Sequence, residues 1–193
     1  MDLAAHSAAA TPRKVPLDRT LRSVLLFTDA AAEEGKVTLG AVIFDPVSGV
    51  FQHFGVWMSE ASVNKWKECG RDQVIGQAEL IAIPIALETW AEILEHRDVL
   101  VFIDNDSAKD CLVRGASTQD DSAILARAAR LLCAVHAIGA WYARVASPSN
   151  IADGPSRGED EMLLKAGSTR VVPRVPACLK DVELSELLGS KIT

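Results

Sequence analysis

Two short runs constrain this chain more than anything else in it. They are Val24-Leu25-Leu26-Phe27-Thr28, followed by Asp29, and Val99-Leu100-Val101-Phe102-Ile103, followed by Asp104. A continuous apolar stretch without polar alternation has no solvated face, so each reads as a strand covered on both sides. Such strands require helices packed over the sheet, and an acid at the end of each is left where the sheet meets solvent.

The segments between them supply the rest of the architecture. Leu39 to Phe44 reads as a second strand, Asp45-Pro46-Val47-Ser48-Gly49 as a turn, and Val50 to Trp57 as a third strand. The short spacing makes these an antiparallel meander. Residues 58–75 read as a longer connection holding Asn64, Lys65, Trp66, Lys67 and Arg71. From about Gln77 to His96 the apolar residues nearly surround a helix, which predicts burial on all sides. Pro84 lies inside it; a missing donor costs about 3 kcal/mol in a regular helix, which predicts a kink or break there. Because that helix is a crossover, the strand 99–103 is expected parallel to the first.

Asp106 or Ser107 is expected to cap a short helix ending near Val113. Residues 121–137 carry Ile124, Leu125, Ala128, Leu131, Leu132 and Val135 along one side of an amphipathic helix. Trp141 to Val145 reads as a fifth strand, and Ser147-Pro148-Ser149-Asn150 as a turn into a helix start at Ile151-Ala152-Asp153. The expectation is an α/β fold with a five-stranded mixed sheet, a three-strand antiparallel meander plus two parallel strands, flanked by helices. Residues 1–22 read as a mobile amino-terminal arm, 23–166 as the domain and 167–193 as a carboxy-terminal tail.

A chain of 193 residues accommodates one ordinary domain and buries enough surface to need no disulfide or metal staple. The net charge of −6 opposes coating nucleic acid by bulk charge, but not an enzyme that meets nucleic acid through bound cations. No apolar run approaches the ~18 residues of a membrane span, and the first residues lack the features of a secretory signal. Cys69, Cys111, Cys133 and Cys178 fit no paired zinc pattern. The expectation is an intracellular protein, cytoplasmic or nuclear and not secreted, without a membrane partner. Walker and dinucleotide-binding patterns are absent, and Ser122 and Ser156 have no evident His/Asp partners.

The acids carry the chemistry. If the first and fourth strands are adjacent and parallel, Asp29 and Asp104 emerge at one edge, where open α/β sheets bind ligands. Glu79 lies in the first turn of the buried helix and Asp153 begins the last one. Converging carboxylates repel and burial raises their pKa, so a cation is needed to compensate. Hard oxygen ligands suit Mg²⁺ or Mn²⁺. Taken singly, Glu79 also fits a helix-dipole partner and Asp153 a cap, and Asp106, sharing strand parity with Asp104, fits a cap or a metal approach. The four acids in this element order carry the metal reading.

The segments FTDA at 27–30, QAEL at 77–80, FIDND at 102–106 and SNIADGPSR at 149–157 resemble a ribonuclease H domain of the kind found in reverse-transcribing elements. The resemblance spans about two-thirds of the chain. It implies a catalytic, metal-holding set on Asp29, Glu79, Asp104 and Asp153, two Mg²⁺ ions with Mn²⁺ as a substitute, and cleavage of the RNA strand of an RNA–DNA hybrid. It also implies a reverse-transcriptase domain as a partner, on the same or another chain. Gly76 stands where the family often has a hybrid-reading Asn, with Gln77 beside it, and the turn before Asp153 lacks the His of many cellular members. Substrate contacts are expected from Gln77, Asn105, Lys65, Trp66, Lys67 and Arg71, the cations neutralising phosphates and Trp66 packing on a sugar or base. Two further readings are a 3′–5′ exonuclease of the same fold and a catalytically inert module scaffolding a polymerase or ribonucleoprotein. The exonucleases usually carry D-x-E on the first strand, where this chain has Asp29-Ala30-Ala31.

Overall fold

The computed structural model describes residues 23–33, 35–68, 74–180 and 188–191. The arm 1–22, Cys69 and Arg71 lie outside the described residues, as do 181–187 and 192–193 of the expected tail. Strands β1 (Val24–Glu33), β2 (Lys36–Phe44) and β3 (Phe51–Met58) form the antiparallel meander. The β2–β3 turn is built by Asp45, whose Oδ1 accepts from the Val47 backbone at 3.0 Å and whose Oδ2 accepts from the Ser48 hydroxyl at 2.6 Å. Gly49 closes it at φ 75°, a conformation that costs a residue without Cβ little.

β4 (Asp98–Ile103) runs parallel to β1 with Phe27 beside Phe102, and β5 (Gly139–Arg144) runs parallel to β4. With β6 (Thr169–Arg170) and β7 (Leu188–Lys191), the sheet order is β5-β4-β1-β2-β3-β6, with β7 also on β3. The expected five-stranded mixed sheet is therefore present, enlarged by β6 and β7. β1 runs past Asp29 to Glu33, because β2 continues to pair with it beyond the point where β4 stops.

The packing continues past residue 166, into the stretch the sequence assigns to a tail. Leu179 is fully buried in the core. A buried polar network holds the segment: His53 on β3 bonds Ser168 Oγ through Nδ1 at 2.8 Å and Asp160 Oδ2 through Nε2 at 2.9 Å. Asp160 also accepts from the Arg170 guanidinium. Partners on both sides are what make an internal His and Asp tolerable.

The helix Ile75–Thr89 packs against β1 and the Asp120–Val135 helix, with 12 of its 15 residues buried. It runs without interruption through Pro84, contrary to the expected break. Ile81, Ile83, Ile85 and Leu87 around the proline are all fully buried, and that burial offsets the missing donor. The chain breaks instead at Trp90, whose ring stacks on Phe54 at 5.4 Å and whose Nε1 donates to Gln52 Oε1 at 2.9 Å. A four-residue helix, Ala91–Leu94, follows.

The segment expected as a long connection contains a helix, Glu60–Glu68. Ser59 Oγ accepts from the Ser62 backbone at 3.2 Å at its start, and Val63 and Trp66, three apart, turn to the core.

Candidate metal centre

The parallel register of β1 and β4 ends at Phe27 beside Phe102, and two residues beyond each stand Asp29 and Asp104. The Ile75–Thr89 helix lies over β1 and brings Glu79 to the same edge. Ligand-capable atoms of Asp29, Glu79 and Asp104 all lie within 4.8 Å of one another. These acids are 50 and 25 residues apart in sequence, and the crossover topology alone makes them neighbours.

The cluster is electrostatically strained. Burial raises the Glu79 pKa to about 9, with the charges of Asp29 and Asp104 adding to the effect, while a bond from the Ala30 backbone opposes it. Burial also raises Asp29 to about 6, with the Ser156 hydroxyl opposing it and Asp104 and Asp153 reinforcing it. Glu79 Oε2 is buried and has no hydrogen-bond partner among the described residues. Three hard oxygen donors, one of them unpartnered, fit a divalent cation, which would repay the repulsion and supply the missing contact.

Asp153 stands outside this group of three, yet near enough for its charge to raise the Asp29 pKa. It opens the short helix Asp153–Ser156 and holds Arg157, whose Nε donates to Asp153 Oδ1 at 2.9 Å and whose other arm pairs with Glu33. Asp106 neither caps nor joins the cluster; it pairs with Lys109 at 3.0 Å and with Arg144.

The residues expected to touch substrate are dispersed. Trp66 is 5% exposed and packs in the core, so its ring is withdrawn from any sugar or base, and the stacking expectation is corrected. Gln77 is 4% exposed and its amide donates to Asp121 Oδ2 at 3.2 Å, tying two helices together. Asn105 caps the helix Asp106–Arg114, its Oδ1 accepting from the Ala108 backbone at 3.0 Å. The cap is therefore one residue earlier than expected. Lys65 is half-buried and Lys67 exposed. Lys67 lines a groove of about 580 Å³ beside the cluster, together with Lys36, Ile75 and Arg157.

Two residues around the acids were not assigned from the sequence. Asn150 Nδ2 donates to the Thr28 carbonyl at 3.0 Å, and the Ser156 hydroxyl donates to Asp29 Oδ2. The available signal was their placement three residues on either side of Asp153, a spacing that returns side chains to one side of a tight helical turn.

No family model matches the chain, and no curated protein matches it. Solved structures do. Ribonuclease H1 from the archaeon Halobacterium salinarum NRC-1 is 22% identical over 72% of this chain and 97% of its own, with a TM-score of 0.55. The N-terminal ribonuclease H domain of a Mycobacterium tuberculosis protein is 14% identical over 75% and 98%, with a TM-score of 0.56. LC11-RNase H1, in complex with an RNA/DNA hybrid, is 14% identical over 74% and 99%, with a TM-score of 0.53. This chain has the ribonuclease H-like fold, with Asp29, Glu79 and Asp104 converging at its parallel-strand edge.

Proposed function

We propose that the protein is a divalent-metal-dependent endonuclease that hydrolyses the RNA strand of RNA–DNA hybrids. The observation that carries this reading is the carboxylate cluster Asp29, Glu79 and Asp104 with its unpartnered Glu79 Oε2, on a fold shared with ribonucleases H1, one of them solved on a hybrid. Asp29, Glu79 and Asp104 would hold the cation, and Asp153 would complete a set for a second. Bound as a pair, Mg²⁺ or Mn²⁺ would activate a water and stabilise the leaving oxygen of the phosphodiester.

The chain's own residues prepare that chemistry. Burial holds the Glu79 carboxyl protonated at neutral pH in the absence of a cation, so loading would displace a proton there. Lys36 and Lys67 line the adjoining groove, where Arg157 is already paired with Glu33 and Asp153, and the two lysines suit a phosphate backbone lying beside an otherwise repulsive centre. The SNIADGPSR ending supports the retroelement type, and with it a reverse-transcriptase domain as partner. Among the described residues no helix is long and apolar enough to cross a membrane.

A cleavage assay on matched hybrid, double-stranded DNA and single-stranded RNA, with Mg²⁺ and with chelator, tests the proposal. Metal-dependent cutting of the RNA strand in the hybrid alone is expected. Stepwise shortening from a 3′ end would replace it with the exonuclease reading, and inertness on all three substrates would leave a binding module.

A further inference from the structure

Ser156 is held from three directions. Its hydroxyl donates to Asp29 Oδ2, its carbonyl accepts from the Thr38 hydroxyl, and its backbone N–H donates to the Ala152 carbonyl at 3.0 Å. The residue is 0% exposed. Its Oγ also lies 2.8 Å from the Asp153 carbonyl, but a hydroxyl has one proton, and an ionised carboxylate is the stronger acceptor. On the other oxygen, Asn150 Nδ2 reaches Asp29 Oδ1 only at 3.4 Å, its shorter bond being to the Thr28 carbonyl. Asp29 thus has one committed oxygen and one weakly held.

We propose that Ser156 is a positioning residue for the metal centre: by taking Oδ2 of Asp29 it sets the carboxylate plane and presents Oδ1 to the space shared with Glu79 and Asp104. The inference rests on reading that space as a cation site and adds a residue that ligates nothing itself. A carboxylate with two equivalent oxygens and a broad terminal torsion has several orientations, and cation binding must select one. A buried donor on one oxygen makes the selection in advance, as donors behind metal ligands do. Ser156 also closes the turn that begins at Asp153, so one hydroxyl ties the orientation of Asp29 to the placement of the fourth acid.

Calorimetric titration of the full chain with Mn²⁺ alone, with hybrid-cleavage kinetics alongside, tests the role. Ser156→Ala should fold and should weaken Mn²⁺ binding by about tenfold or more, the range seen when a donor behind a ligand is removed. It should lower kcat and leave the KM for hybrid unchanged, because no substrate contact is lost. Ser156→Cys, nearly isosteric and a weak donor, should lie between the two and decides the matter if the alanine variant does not fold. A folded Ser156→Ala with wild-type Mn²⁺ affinity would overturn the positioning role while leaving hybrid cleavage standing. Ser156-dependent Mn²⁺ binding without any hybrid cleavage would sustain the positioning role and remove the endonuclease reading. A wild-type chain that binds no Mn²⁺ removes both.

Discussion

Asp29 on β1 lies directly opposite Gly40 on β2, and Gly40 is where the Asp153–Ser156 helix rests on the sheet. A Cβ at Gly40 would stand 2.6 Å from the Ala152 carbonyl oxygen and closer still to the Ser156 nitrogen. The missing side chain is what lets the turn carrying Asp153 approach the strand carrying Asp29. Glycine inside a strand pattern commonly marks such an approach.

Gly40→Ala should therefore push the 152–156 turn off the sheet. Backbone atoms are the obstacle and cannot rotate aside, so a loss of about 1–3 kcal/mol in stability is expected. Hybrid cleavage should fall further than stability explains, because Asp29 and Asp153 lose their shared frame. Thermal unfolding and cleavage rates below the melting range check both parts; wild-type values for both would show that the turn does not depend on this contact.

Asp29→Asn removes a charge while preserving shape. Without a cation it relieves the repulsion from Asp104 and Asp153 that helps raise the Asp29 pKa, so the midpoint of unfolding should be unchanged or higher. Cleavage of the hybrid should fall by orders of magnitude, since one of the three converging carboxylates proposed to hold the cation is lost. A variant as active as wild type would remove Asp29 from the centre.

The acids also dictate how stability depends on pH when cations are chelated. Glu79 titrates near 9 in the folded chain against an ordinary value of 4.5, and Asp29 near 6 against 3.8. Between these limits the folded state keeps protons that the unfolded chain has released, so stability should decline as pH rises from about 4 to 9. Asp45, bound by Arg97 and Ser48, is lowered to about 2. Its contribution runs the other way and is lost only in acid. Denaturant titrations in chelator should show the decline, Glu79→Gln should flatten it above about pH 6, and Mg²⁺ should flatten it in the wild type by binding only the folded form. A wild-type profile that is level from pH 6 to 9 would contradict the burial argument.

Lys67 is the exposed cation of the Glu60–Glu68 helix that lines the groove beside the cluster. If it meets a phosphate, Lys67→Ala should reduce the slope of log affinity against log salt by roughly 0.7–0.9. Binding of the hybrid in Ca²⁺ across a salt series measures this. An unchanged slope would place the phosphate path elsewhere.

The amino-acid pattern alone determined the three-strand meander, the two parallel strands and the acids that follow the apolar runs of β1 and β4, while β6 and β7 lay in the stretch it read as a tail. An uninterrupted apolar run specifies a covered strand, and a crossover helix specifies parallel return, whatever the rest of the chain does. Partner choice was decided only by tertiary structure. Trp66 went to the core because Val63 and Trp66 share one side of a helix that the charged residues around them had disguised as a loop. Gln77 went to Asp121 and Asn105 to a helix cap, since a side-chain amide binds whichever polar group the packing places nearest. Pro84 stayed within a continuous helix because surrounding burial outweighed one missing bond. Ser156 acquired Asp29, 127 residues away, because a glycine on the neighbouring strand left room for its turn to dock. Periodicity is a local property that any short window of sequence records, whereas a hydrogen bond between distant side chains exists only after the sheet has brought them together.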